Sequence, residues 1–87
     1  MNIQQRQDAL IDELQKIHQR RIELGHGGGG AWVGVRARLK RLFVEEMVAA
    51  GHYSRERGYA IADQCDAAAR NNADMQALMA QLGCNAP

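Results

Sequence analysis

Glycine and proline break this chain in very few places, and that spacing constrains the fold more than anything else in the sequence. No glycine or proline falls between residues 2 and 24, and none between residues 60 and 82. Apart from the single Gly34 and Gly58 and the terminal Pro87, the interruptions are a glycine-rich run at residues 25–30, the step "AAGHYS" at residues 49–54, and Gly83 near the end. The long stretches are rich in Ala, Leu, Gln, Glu and Arg, which favour the helix. Alternation of apolar and polar residues is absent and β-branched residues are scarce, so no strand is expected. The chain reads as all-α, with three helices and a fourth if the last one breaks at Asn72.

In the first helix, Ile3, Leu10, Ile17 and Leu24 recur every seventh residue, with Leu14 at a second heptad position. Gln7 and Arg21 interrupt the set, so the stripe is narrow and suits one packing neighbour. Gly25 is the expected stop. The second helix is expected from Ala31, with Trp32, Val35, Leu39, Leu42, Phe43 and Met47 along one face. Arg36, Lys40 and Arg41 form a basic ridge off that face, and Arg38 also lies off it. Gly51 suits the position after a helix end, and Ser54 suits an N-cap. In the third helix, Ala62, Cys65, Ala69, Met75, Leu78, Met79 and Leu82 trace a face. Asn71, Asn72 and Asp74 lower helix propensity, which is the reason to expect a break there. The resulting organisation is one small domain over residues 1–87: a helix to residue 24, a glycine loop at 25–30, a helical hairpin over 31–82 and a tail at 83–87.

Eighty-seven residues, 46% of them apolar, make a single thin core, and assembly into oligomers is a common remedy. The net charge of +1 leaves no overall attraction for nucleic acid, so basic character must be local. The start "MNIQQRQDAL" has no apolar leader, and no run is apolar enough to span a membrane. Two cysteines, Cys65 and Cys84, read as reduced thiols in a cytoplasmic protein.

Catalytic groupings are weak. His18, His26, His52, Cys65 and Cys84 show no metal-ligand spacing and read as surface histidines and small core thiols. Asp63 and Asp66 share a helix face but read as solvated carboxylates. No enzyme and no cofactor is expected. The glycine run has more to offer. A helix N-terminus carries unpaired N–H groups and partial positive charge, and glycines in front of it let an anion approach. Gly27, Gly28, Gly29 and Gly30 would form such a cradle, with Arg36 one turn inside. The same glycines also suit a plain hinge.

The segment "SRERGYAIADQCDAAARNNADM", residues 54–75, resembles the helical hairpin of phage-encoded cyclic-nucleotide sponges, which block CBASS and Thoeris immunity. The features that match are Arg36, Ser54, Arg55, Glu56, Arg57, Ala60, Ala67 and Asn72. The resemblance covers residues 31–75, about half of the chain. The family's proline- and aromatic-bearing entry loop is replaced here by glycines, and the first helix has no counterpart. The resemblance implies a non-enzymatic helical oligomer, acting in the host cytoplasm, that holds a signalling nucleotide between protomers and withholds it from an immune effector. It implies contacts to phosphate from the glycine loop, Arg36, Arg55 and Arg57. Trp32 or Tyr53 would stack on a base, although Trp32 also suits the start of an apolar stripe. Two rival functions stand beside it. One is binding and inhibiting a host protein through the first helix, and the other is weak DNA binding through the third.

Overall fold

The structure, a computed structural model, describes residues 2–24 and 30–83. Three helices follow one another, α1 (Ile3–Glu23), α2 (Gly30–Ala49) and α3 (Arg55–Gln81), with no strand among the described residues. The expected stop at Gly25 and the cradle residues Gly27, Gly28 and Gly29 lie outside the described residues.

Each described helix start and stop has a local cause. Asn2 opens α1 with a capping box. Its side-chain oxygen accepts from the Gln5 N–H at 2.7 Å, and its own N–H donates to Gln5 Oε1 at 3.0 Å. α2 ends in a Schellman turn. The His52 N–H donates to the Met47 carbonyl at 2.9 Å and the Gly51 N–H to the Val48 carbonyl at 3.0 Å. That geometry needs a left-handed residue, and Gly51 supplies it at φ 77°. Ser54 caps α3 by accepting from the Arg57 N–H at 3.2 Å.

α3 runs 27 residues without a break, so the fourth helix expected from Asn72 does not form. The Asn71 and Asn72 side chains are exposed, and water satisfies them without competition for the backbone. On the inner face, Ala69 and Ala73 are fully buried and tie this stretch to its neighbours. Packing has overridden a weak local preference.

Gln7 on α1 meets Tyr53 just before α3, and His18 meets Asp66, eleven residues further along α1 and thirteen beyond Tyr53. α1 and α3 therefore run in the same sense, and this pair makes the most extensive contact in the molecule. α2 packs on α3 through Val44 against Gly58 and through Lys40 against Asp63 and Asp66. It reaches α1 through Arg6, whose guanidinium lies 5.3 Å from the Phe43 ring centre and 2.6 Å from Glu46 Oε2. The described part of the molecule measures 45 × 30 × 16 Å, with a radius of gyration of 14.2 Å. A compact chain of this length would have about 12 Å. Three helices thus form a thin slab.

The core is small and sharply placed. Phe43, Leu10, Leu14 and Val44 are its largest fully buried side chains, joined by Met47, Ile61, Ala62, Cys65 and Ala69. The expected stripes are partly displaced. On α1 the buried line is Leu10, Leu14 and His18; Ile3 and Ile17 are half-buried and Leu24 is exposed. On α2 the inward face is rotated. Val35 and Leu42 are exposed, Val44 is buried, and Arg36 and Lys40 of the supposed outer ridge turn partly inward. On α3, Ala62, Cys65 and Ala69 are buried as expected, but Met75, Leu78 and Leu82 are exposed. On a 3.6-residue wheel their positions fall about 100–160° round from the middle of the buried line of Ile61, Cys65, Ala69 and Ala73.

Candidate functional site: a buried carboxylate and a cationic cleft

Three polar side chains, one from each helix, meet inside this slab. Asp66 of α3 is 4% exposed and His18 of α1 is also 4% exposed. His18 Nε2 donates to Asp66 Oδ1 at 2.8 Å, and Lys40 Nζ of α2 donates to Asp66 Oδ2 at 3.0 Å. Lys40 also reaches the exposed Asp63 at 3.3 Å. The readings of His18 as a surface residue and Asp66 as a solvated carboxylate are therefore corrected. A buried carboxylate must have its lone pairs filled, and both of its oxygens are engaged here.

The electrostatics follow from the geometry. Burial pushes the Asp66 carboxyl upward, but the His18 and Lys40 hydrogen bonds and the Lys40 and Arg36 charges outweigh it. The net effect holds Asp66 below the usual carboxylate range. Cys65, its neighbour in sequence, shows the opposite behaviour. Burial, helped by the charge of Asp8, pushes the thiol up, so it stays neutral in the core. Such a thiol is a poor nucleophile. No group of three His, Cys, Asp or Glu side chains capable of holding a metal ion occurs among the described residues.

Beside this clasp lies a cleft of about 140 Å³, lined by His18, Arg21, Ile22, Arg70 and Asp74. The clasp and the cleft share His18. Arg21 closes the last turn of α1, and Arg70 stands on α3 one turn beyond Asp66. Among the described residues neither guanidinium has an ion-pair partner. Arg36 Nε, which is buried, has no hydrogen-bond partner. The volume suits one phosphoryl or carboxyl group and falls well short of the roughly 300–1,000 Å³ of a pocket for a whole organic ligand.

The residues singled out from sequence fall into two groups in one chain. Trp32 and Arg36 stand at the start of α2, with Gly30 as its first residue; Trp32 is half-buried, and Arg36 acts on Asp66. Arg55 and Arg57 are exposed on the first turn of α3, and the hydroxyl of the adjacent half-buried Tyr53 accepts from Gln7. About ten residues of helix, or roughly 15 Å, separate the Arg55–Arg57 turn from Asp66. The fold therefore does not bring Arg36 and the Arg55–Arg57 pair together within one protomer. His18, Arg21, Lys40, Asp66, Arg70 and Asp74 were not expected in a site. The i, i+4 continuation from Leu10 and Leu14 to His18 was a readable signal for the first of them. Comparison with known protein families, characterised proteins and solved structures finds no match to this chain.

Proposed function

We propose that this is a non-enzymatic helical binding protein that captures a phosphorylated signalling ligand of the cyclic-oligonucleotide class. The observation that carries the reading is the unpaired Arg21 and Arg70 flanking a small cleft, with Arg36 Nε unpartnered nearby on the same carboxylate network. Guanidinium groups are the side chains best matched to phosphoryl oxygens. The clasp fixes the positions of α1 and α3, and so the spacing of the two arginines. One cleft takes one phosphoryl group, so a ligand with two or three phosphates is held between copies, as the "SRER" resemblance implies. The hairpin of α2 and α3 belongs to this reading, and the Val44–Gly58 and Lys40–Asp63 contacts support it. In the assembled form, Arg55 and Arg57 of one copy complete the cationic site of another. In a phage-infected cell the effect would be to withhold the signal from an immune effector by stoichiometric binding, without turnover.

The rival in which α1 docks on a host protein through Ile3, Leu10, Leu14, Ile17 and Leu24 is weakened, because Leu10 and Leu14 are fully buried against their own chain and only Leu24 of the five is exposed. Titration calorimetry with cyclic di- and trinucleotides tests the proposal. The expected result is saturable binding that Arg70→Ala and Arg21→Ala each weaken by at least about tenfold, equivalent to about 1.4 kcal/mol. Absence of heat with every member of the panel, by folded protein, refutes it.

A further inference from the structure

His18 is the one side chain shared by the clasp and the cleft, and its two ring nitrogens have different tasks. Nε2 is committed. Its partner Asp66 is buried and held below the usual carboxylate range, so near neutrality it is ionised and can only accept. The proton of a neutral His18 ring therefore sits on Nε2, and Nδ1 carries a lone pair. Nδ1 has no hydrogen-bond partner among the described residues. It is not sealed either, because Arg36 Nε is the one fully buried side-chain nitrogen or oxygen without a partner among those residues. His18 is only 4% exposed and lines the cleft, so the cleft is the opening through which Nδ1 meets solvent.

The charges around this ring come from all three helices. α1 supplies Arg21, one turn on from His18. α2 supplies Lys40 and Arg36 around Asp66, with the exposed Asp63 answering Lys40. α3 supplies Asp66, Arg70 and Asp74. At the cleft itself, two arginines against one aspartate leave the lining at +1 with a neutral ring and +2 with an imidazolium. In the empty cleft the arginines oppose a second proton on the ring. An anion between them removes that opposition and offers an acceptor. The neutral ring meets a phosphoryl oxygen with lone pair against lone pair. The imidazolium instead donates a charge-assisted hydrogen bond beside the two guanidinium groups, while Asp66 holds the cation from its other side.

We propose that His18 is itself a ligand of the captured anion, as an imidazolium with Nε2–H on Asp66 and Nδ1–H on a phosphoryl oxygen, so that binding takes up a proton from solvent. The proposal rests on reading the cleft as a phosphoryl site, and it gives that site a pH dependence. The sign follows from linkage. The anion strengthens proton binding by the ring, and the proton tightens anion binding by the same factor. Affinity is therefore greatest in mild acid and falls as pH rises through the titration of the ring. A phosphodiester keeps one negative charge over the whole of that range, so the dependence belongs to the protein.

Nitrogen-15 NMR of the histidine rings in the whole chain, from about pH 5.5 to 8.5, tests this. The probe is dimethyl phosphate, a single phosphodiester, at about 50 mM against sodium chloride of the same ionic strength. The pH at which Nδ1 of His18 gains its proton should rise by at least about 0.3 with the probe. Nε2 should remain an N–H throughout, and the exposed His52 should not respond. For a nucleotide that binds, calorimetry in two buffers of different ionisation heat should show proton uptake. Its dissociation constant should rise about tenfold between pH 6 and pH 8. His18→Gln keeps an N–H for Asp66 and has no proton to gain, so its binding should be weaker in mild acid and flat with pH. A His18 ring unmoved by dimethyl phosphate, or nucleotide binding by the parent protein without proton uptake, overturns the proposal. A ring that responds to dimethyl phosphate in a protein that binds no cyclic nucleotide upholds it and refutes the proposed function instead.

Discussion

Removing the Asp66 carboxylate is expected to cost about 3 kcal/mol of folding free energy. Asp66→Ala deletes two charge-assisted hydrogen bonds, at 2.8 Å from His18 and 3.0 Å from Lys40. Breaking a buried pair by taking one partner typically costs 3–5 kcal/mol. The lower figure applies because Lys40 is partly exposed and keeps Asp63 at 3.3 Å, whereas His18 is left buried. For a domain of this size that loss lowers Tm by about 12–24 °C, a large fraction of the total stability. Urea unfolding followed by circular dichroism at pH 7 measures it, with an unchanged slope showing that the folded state is preserved. The pH dependence gives an independent check. Asp66 in the folded protein lies below its unfolded value of about 3.9. Its contribution is therefore complete above that value and drains away as pH falls through the lower folded one. The gap between parent and variant should be constant near neutrality and should shrink below about pH 4. A loss under about 1 kcal/mol, or a gap that persists undiminished into strong acid, refutes the claim that this carboxylate clasps three helices.

Other contacts predict equally definite outcomes. A Cβ on Gly58 would sit 3.1 Å from Cγ1 of the fully buried Val44. Overpacking of about 1–3 kcal/mol should thus exceed the helix-propensity gain of about 1 kcal/mol, and Gly58→Ala should destabilise on chemical unfolding. In a Val44→Ala background the same change should become neutral or stabilising. Gly51→Ala places a side chain at φ 77° and should cost about 1 kcal/mol, read as a shift in urea midpoint. Cys65 should resist a thiol reagent at pH 8 until the chain unfolds, because burial keeps it protonated. Its raised pKa means that this part of the stability is present below the unfolded value of about 8.5 and is lost as pH rises through the folded one.

How far the fold could be read in advance depended on what each residue's signal was made of. Glycine spacing and capping residues act locally, so the helix count, the turn at Gly51 and the N-cap at Ser54 were legible. Stripe phase is a collective property and was less so. On α2, Val35 and Leu42 fitted an apolar face on paper. Packing chose a face about one residue round, with Val44 inward beside Gly58 and with Lys40 inward because Asp66 was there to receive it. The site was the least legible part. A histidine at position 18 and an aspartate at position 66 are 48 residues apart, and nothing local says that they meet. Only the continuation of the Leu10–Leu14 line predicts burial of His18, and burial of one polar group implies a partner without naming it. The unbroken α3 makes the same point, since the two asparagines carried a real preference that two buried alanines outweighed.

The most direct test of the functional account is calorimetric titration of the folded protein with cyclic di- and trinucleotides, beside Arg70→Ala and inorganic phosphate. Saturable binding of at least one nucleotide, weakened tenfold or more in Arg70→Ala at unchanged Tm, is the predicted result. No binding by any nucleotide, or equal affinity in Arg70→Ala, contradicts it.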